Sequence, residues 1–180
     1  QVAGTTDDWI EIHNTGTTGL SLGRWQLTDN PGDLGQWTFP PPTSLAAGQF
    51  LVVYASGNNA RDANGNLHTS FSLSANGEYL ALVRPNGTVA SEFGPGGSDY
   101  SAQDNDVSYG LHPTSDATVY FSSPTPGAPN HPAGIARVAD TKFDPDRGYY
   151  QTVIAVTISS ATPGARIYYT TDGSSPLNSN

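Results

Sequence analysis

Asp99, Asp104 and Asp106 lie within eight residues of one another in Gly96-Gly-Ser-Asp-Tyr-Ser-Ala-Gln-Asp-Asn-Asp106. A hard cation such as calcium takes roughly six to eight oxygens, which carboxylates and carbonyls of such a loop can supply. The spacing makes Asp99, Asp104 and Asp106 the candidate calcium ligands, with no cofactor required. The same residues also suit Asx-turns, in which a short carboxylate or amide accepts from the backbone two residues on. Asp62-Ala-Asn-Gly-Asn66 alternates oxygens in a similar way, but lacks the glycine and distal glutamate of an EF-hand loop at the required offsets.

Covalent catalysis finds little to work with. There is no cysteine and no Gly-x-Ser-x-Gly elbow. The histidines His13, His68, His112 and His131 are scattered, with His112 and His131 each preceding a proline. General acid–base catalysis needs a base within hydrogen-bond reach of its partner, which nothing in the spacing provides. A glycosidase needs two carboxyl groups about 5–10 Å apart across a cleft. Glu11, Glu78 and Glu92 are the three glutamates, and a strand position or a turn accounts for each. No catalytic residue is assigned, and the chain is expected not to be an enzyme. Sugar binding would use exposed aromatic platforms, for which Trp9, Tyr149, Tyr150 and Tyr168 are candidates. Trp25 and Trp37 share faces with Leu27 and Phe39 and are expected in the core. Asn86-Gly-Thr88 fits an N-glycosylation acceptor, but a hairpin turn explains the same residues without a sugar and is the preferred reading.

Sixteen acidic residues against seven basic ones give a net charge of −9, which repels phosphate backbones and argues against nucleic-acid binding. The longest apolar run, Phe50 to Ala55, is far too short for a membrane helix. The chain is expected to be a piece of a longer exported protein.

These residues are carried by short runs of alternating apolar residues separated by turn signals, with no helical period of useful length. Strands are predicted at 9–13, 20–28, 36–39, 50–54, 67–73, 79–84, 88–93, 107–111 and 118–121, with 50–54 apolar on both faces. Asn76-Gly77 and Asn86-Gly87 mark turns between alternating runs. Short strands at such spacing indicate an all-β sandwich. Pro124-Thr-Pro-Gly-Ala-Pro129 ends the pattern, placing a linker at 124–140. A smaller β unit is predicted at 141–180, with 152–160 turning at Thr162-Pro-Gly-Ala165 to pair with 166–171. Two strands cannot bury enough surface alone, so 152–171 is expected to pack on the main body or pair with another chain.

Residues 8–130 resemble the lamin tail domain, an immunoglobulin-like sandwich found in many secreted bacterial proteins. The carriers include Asp8-Trp-Ile-Glu-Ile-His-Asn14, Leu20-Ser-Leu-Gly-Arg-Trp-Gln-Leu-Thr-Asp29, Leu45-Ala-Ala-Gly-Gln-Phe-Leu-Val-Val-Tyr-Ala-Ser56, Gly77-Glu-Tyr-Leu-Ala-Leu82 and Thr125-Pro-Gly-Ala-Pro-Asn130. That family usually opens with one more strand, which is absent here. Residues 141–180 resemble the first half of the C-terminal sandwich of chitobiase-like enzymes, through Phe143-Asp-Pro-Asp-Arg-Gly148, Val156-Thr-Ile-Ser-Ser-Ala-Thr-Pro-Gly-Ala165 and Ile167-Tyr-Tyr-Thr-Thr-Asp-Gly-Ser174.

The expectation is therefore an all-β chain. An immunoglobulin-like antiparallel β-sandwich at 1–123 is followed by the linker and by a truncated second β-sandwich unit at 141–180. The resemblances imply a non-catalytic structural or adhesive module of a larger secreted or cell-surface protein. The alternative is a carbohydrate-binding accessory module of an extracellular hydrolase. The implied partners are a protein or a cell-surface polysaccharide, with strand-mediated contact to a neighbouring domain or chain and without nucleic acid or membrane insertion.

Overall fold

The computed structural model describes residues 7–94, 96, 99–115, 117–132, 134, 138–162 and 164–176. Thirteen strands and no α-helix are found among them. The chain divides into two units, Gln1–Ile135 and Ala136–Asn180.

In the first unit, β1 (Asp8–His13), β6 (Phe50–Ala55) and β7 (Leu67–His68) form one sheet with β6 in the centre. β6 runs antiparallel to β1 and parallel to β7. β4 (Trp37–Thr38), β3 (Gln26–Thr28), β8 (Leu80–Val83) and β9 (Val89–Phe93) form a second, wholly antiparallel sheet in that order. Two ribbons complete the unit, β2 (Leu20–Ser21) with β5 (Ser44–Leu45) and β10 (Ser108–Leu111) with β11 (Thr118–Phe121). One apolar cluster draws on both main sheets: Ile10, Val53, Ala55 and Leu67 from the first, Leu27, Trp37 and Leu80 from the second. Period-2 alternation puts these side chains on the inner faces. The expected two-layered sandwich is thus observed, antiparallel except for the short β6–β7 pair.

Several predicted strands are shorter or divided. The run 20–28 is broken between β2 and β3, where Arg24 adopts φ 72° and Trp25 N–H donates to Leu22 O at 2.9 Å. That turn moves the chain from the β2–β5 ribbon into the second sheet, so one predicted strand serves two sheets. The run 67–73 is a strand only at Leu67–His68, and Ser44–Leu45 is a strand that the alternation does not predict. β4 ends at Thr38 before Pro40-Pro-Pro42, which cannot donate to a ladder. Double-sided burial is strongest on β8, whose Leu80 joins the main core while Ala81 and Val83 join a second cluster with Tyr79. In β6 it is confined to Val53–Ala55, the first half being partly exposed.

Both Asn-Gly pairs are turns, of different kinds. Gly87 N–H donates to Arg84 O and Arg84 N–H to Thr88 O, each at 2.8 Å, and the turn joins β8 to β9. Only Gly87 has positive φ there (83°), so this is a type I turn closed by a glycine bulge rather than a mirror-image two-residue turn. At Asn76-Gly77 the turn closes through Gly77 N–H to Ser74 O at 3.2 Å, but no ladder strand precedes it.

In the second unit, β12 (Thr141–Asp144) pairs antiparallel with β13 (Thr157–Ser160). This corrects the predicted pairing of 152–160 with 166–171. The turn at Thr162–Ala165 does form, with Ala165 N–H donating to Thr162 O at 3.2 Å, but residues 166–171 form no ladder. Val138, Phe143, Tyr149, Val153, Tyr168 and Tyr169 are exposed in this unit. Its two short strands present no opposing layer among the described residues to cover them.

A Cβ on Gly77 would stand 2.0 Å from Tyr100 O, at φ +92°, whereas a Cβ on Gly87 would meet nothing within 4 Å. Gly87→Ala should cost about 1 kcal/mol through backbone strain alone. Gly77→Ala should cost clearly more, because backbone must also move. Urea unfolding of the two variants checks the order.

Candidate functional site

A cleft of about 1080 Å³ opens in the first unit, between the two sheets at their β1 and β9 sides. β1, β9 and β10 all contribute to its wall. Its apolar lining includes Ile12, Leu73, Leu82, Phe93 and Tyr109, all only half-buried although they pack against the main core. Phe93 and Tyr109 rings meet at 5.7 Å, and His13 stacks on Phe50 at 4.1 Å. Asp7, Asp8, Glu11, Glu92, Asp104 and Asp106 line it as well, while no Lys or Arg does among the described residues.

Burial pushes up three carboxyl groups in this unit, those of Asp8, Glu11 and Glu78. Asp8 is raised by burial and then by the charge of Asp7. Glu11 is raised by burial, against the Gly127 N–H that its Oε2 accepts. Glu78 is raised chiefly by burial, although Ser74 N–H donates to it. The Tyr100 hydroxyl is pushed well above the ordinary phenol range by burial and then by Glu78, whose Oε1 it faces at 3.4 Å. Tyr79 donates its hydroxyl to Glu92 Oε2 at 2.9 Å. The three glutamates are therefore tied into the structure by their own hydrogen bonds.

The residues predicted to hold calcium are not drawn together. Asp104 and Asp106 line the large cleft, whereas Asp99 lines a smaller hollow with Glu92, Tyr109 and Thr118. Their loop is pinned through its backbone, by Tyr100 N–H to Glu78 O and Gln103 N–H to Ala75 O, both at 2.7 Å. Among the described residues, no group of three or more His, Cys, Asp or Glu is arranged to hold a metal ion. At 62–66 the Asx-turn is observed: Asp62 accepts from Asn64 N–H, Asn66 N–H and the Asn66 amide at 2.7–2.9 Å.

One grouping escaped sequence reading. Ser56 Oγ lies 2.8 Å from His68 Nδ1, and His68 Nε2 lies 3.7 Å from Asp62 Oδ2. The parallel pairing of β6 with β7 sets Tyr54 beside His68, and the rings stack at 5.1 Å. The signal was available only as a Ser and a His at the two ends of one strand-to-strand loop. The trio contains the residue types of a hydrolase triad, but its surroundings are a knot of loop bonds. Ser56 Oγ also accepts from Asn58 N–H at 3.4 Å. Gly57 N–H is given to Phe71 O and Asn59 N–H to Thr69 O, at 3.0 and 2.9 Å. An oxyanion hole needs free amides aimed at the reacting atom, and these neighbouring amides are engaged. At His112, Nδ1 faces Thr114 N–H at 3.3 Å and Nε2 faces Pro132 O at 3.0 Å, so both ring nitrogens are held.

The Pro-rich segment is held against this unit. Gly127 N–H donates to Glu11, and the Asn130 amide donates to Leu111 O at 2.9 Å.

Two β layers around one core, with loops tied by their own polar side chains, define an immunoglobulin-like module. A family model described as Lamin Tail Domain matches residues 1–97, more than half of the chain, and the chain belongs to that family. A second model, described as Chitobiase/beta-hexosaminidase C-terminal domain, matches residues 145–180, so this stretch is similar to that domain. The order is the one expected from the residues, although the first match is shorter than the 8–130 resemblance. No curated protein matches the chain.

Asp62 is held below the ordinary aspartate value of 3.8, first by the Asn66 side chain. A lowered carboxylate stabilises the fold above the ordinary range and loses that contribution as pH falls through the lowered value. Asp62→Asn should therefore melt below the parent at neutral pH, with the gap closing below about pH 3–4. Melting curves across that range check the sign.

Proposed function

We propose that this chain is a non-catalytic structural and adhesive module of a larger secreted or cell-surface protein. The observation that carries this reading is the state of the Ser56, His68 and Asp62 groups. Their bonds run into the loop between β6 and β7, and the amides around Ser56 serve backbone carbonyls. In this reading these bonds hold the loop in place rather than serve a reaction. The cleft, by contrast, offers a broad apolar surface with an acidic border, which suits binding. The similarity of 145–180 to a domain typical of extracellular proteins supports an exported setting. No helix among the described residues is long and apolar enough to cross a membrane.

A second reading, an accessory carbohydrate-binding module, is favoured by Tyr149, Tyr150, Tyr168 and Tyr169, all exposed in the second unit. Aromatic faces of this kind can stack on sugar rings.

The purified chain, fused to a fluorescent reporter, should bind saturably to intact cell surfaces or extracellular-matrix material. It should show no turnover of aryl esters or aryl glycosides. Turnover abolished by Ser56→Ala or His68→Ala would overturn the non-catalytic reading. A glycan-array signal lost on replacing Tyr149, Tyr150, Tyr168 and Tyr169 by Ala would favour the second reading instead.

A further inference from the structure

We propose that the cleft of the first unit receives an extended peptide strand in which apolar residues alternate with Lys or Arg, added to the free edge of β1. The inference rests on the reading of the chain as an interaction module and names the chemistry of its partner.

Three observations meet at this place. First, β1 pairs with β6 alone among the described strands, so its six residues have one unpaired side. In an antiparallel ladder alternate residues direct their N–H and C=O away from the existing partner, so about three residues of β1 are open to a further strand. β9 and β10, which line the same cleft, likewise have one strand partner each among the described strands. The Pro-rich segment that reaches β1 through Gly127 carries Pro124, Pro126 and Pro129, which have no N–H to offer a ladder. Strand addition to such an edge is a recurring mode of peptide capture.

Second, the cleft has the right lining. Ile12, Leu82, Phe93 and Tyr109 belong to the inner layer yet remain half-exposed. A volume of about 1080 Å³ accommodates several side chains. A strand residue in every second position would cover these side chains and complete the sandwich.

Third, the charge selects the occupant. Asp7, Asp8, Glu11 and Glu92 line the cleft, with no Lys or Arg among the described lining residues. The outward-facing residues of an added strand would meet Glu11 and Glu92, and its first residues would pass Asp7 and Asp8 at the end of β1, so cations there are favoured. A second copy of this chain is a poor occupant, since its net charge is −9 and it has a single lysine. Acid would face acid, and like charges suppress association.

The test uses the whole 180-residue chain. The probes are capped eight-residue peptides: alternating Lys and Val, alternating Glu and Val, and a Lys/Val peptide with proline at every fourth position. Fluorescence anisotropy should show the Lys/Val peptide binding at least about tenfold more tightly than either control, and more weakly at high salt. Hydrogen exchange should show new protection at Asp8–His13. Leu82→Trp, which fills the cleft, should cut affinity about tenfold. Asp8→Lys should cut it several-fold without lowering the melting temperature, since it also removes the repulsion between Asp7 and Asp8. Equal affinity for the Glu/Val peptide, or protection away from β1, overturns the proposal. Failure of binding without turnover sinks this partner assignment alone, whereas peptide cleavage would sink the module reading beneath it.

Discussion

Everything in the first unit depends on one shared apolar layer. Leu22, Leu27, Phe39 and Val53 are at most 1% exposed, and they come from segments far apart in the chain. Burying a side chain of this size contributes about 1.5–3 kcal/mol. None of β2, β4, β5 or β7 exceeds two residues, so their own ladder bonds could not hold them. They persist because Trp37, Leu45 and Leu67 are anchored in the common core. The same constraint explains why the second unit is so open: β12 and β13 form a ribbon whose apolar residues find no facing sheet among the described residues.

Polar side chains complete what the core begins. Irregular backbone has no ladder to satisfy it, and an unpaired buried amide or carbonyl is costly. Asn14 bridges the carbonyls of Thr18, Leu45 and Ala46. Thr28 and Gln36 knit the loop between β3 and β4. Trp37 donates its indole N–H to Asn59, tying the second sheet to the loop that carries Asp62. Polar side chains such as those of Asn14, Thr28, Gln36 and Trp37 therefore act here as fasteners. A cleft is left where the fasteners and the core both stop, at the β1 edge.

The strands were legible where alternation is unbroken and a tight turn follows, as in Trp9–His13, Leu80–Val83 and Val89–Phe93. They were least legible where a chain segment changes sheets. Nothing in Leu20–Thr28 announces that Arg24 takes a left-handed conformation and divides the run. The pairing of β12 with β13 was missed because a nearby turn, Thr162–Ala165, offered a closer partner. The turn at Thr162–Ala165 is a local matter and forms as its residues indicate, but partner choice is a long-range decision. The acidic run 99–106 was legible as a loop, but not its division between two concavities.

By itself the sequence determined the all-β class, the order of the two modules and the acidic, cysteine-free character. These follow from period, turn residues and composition, which are local properties. Tertiary structure alone decided which edges stay open, which acids border the cleft, and that Ser56, Asp62 and His68 meet in one loop. Those outcomes depend on how separate strands register across a shared core, and register is set by contacts between residues distant in the chain.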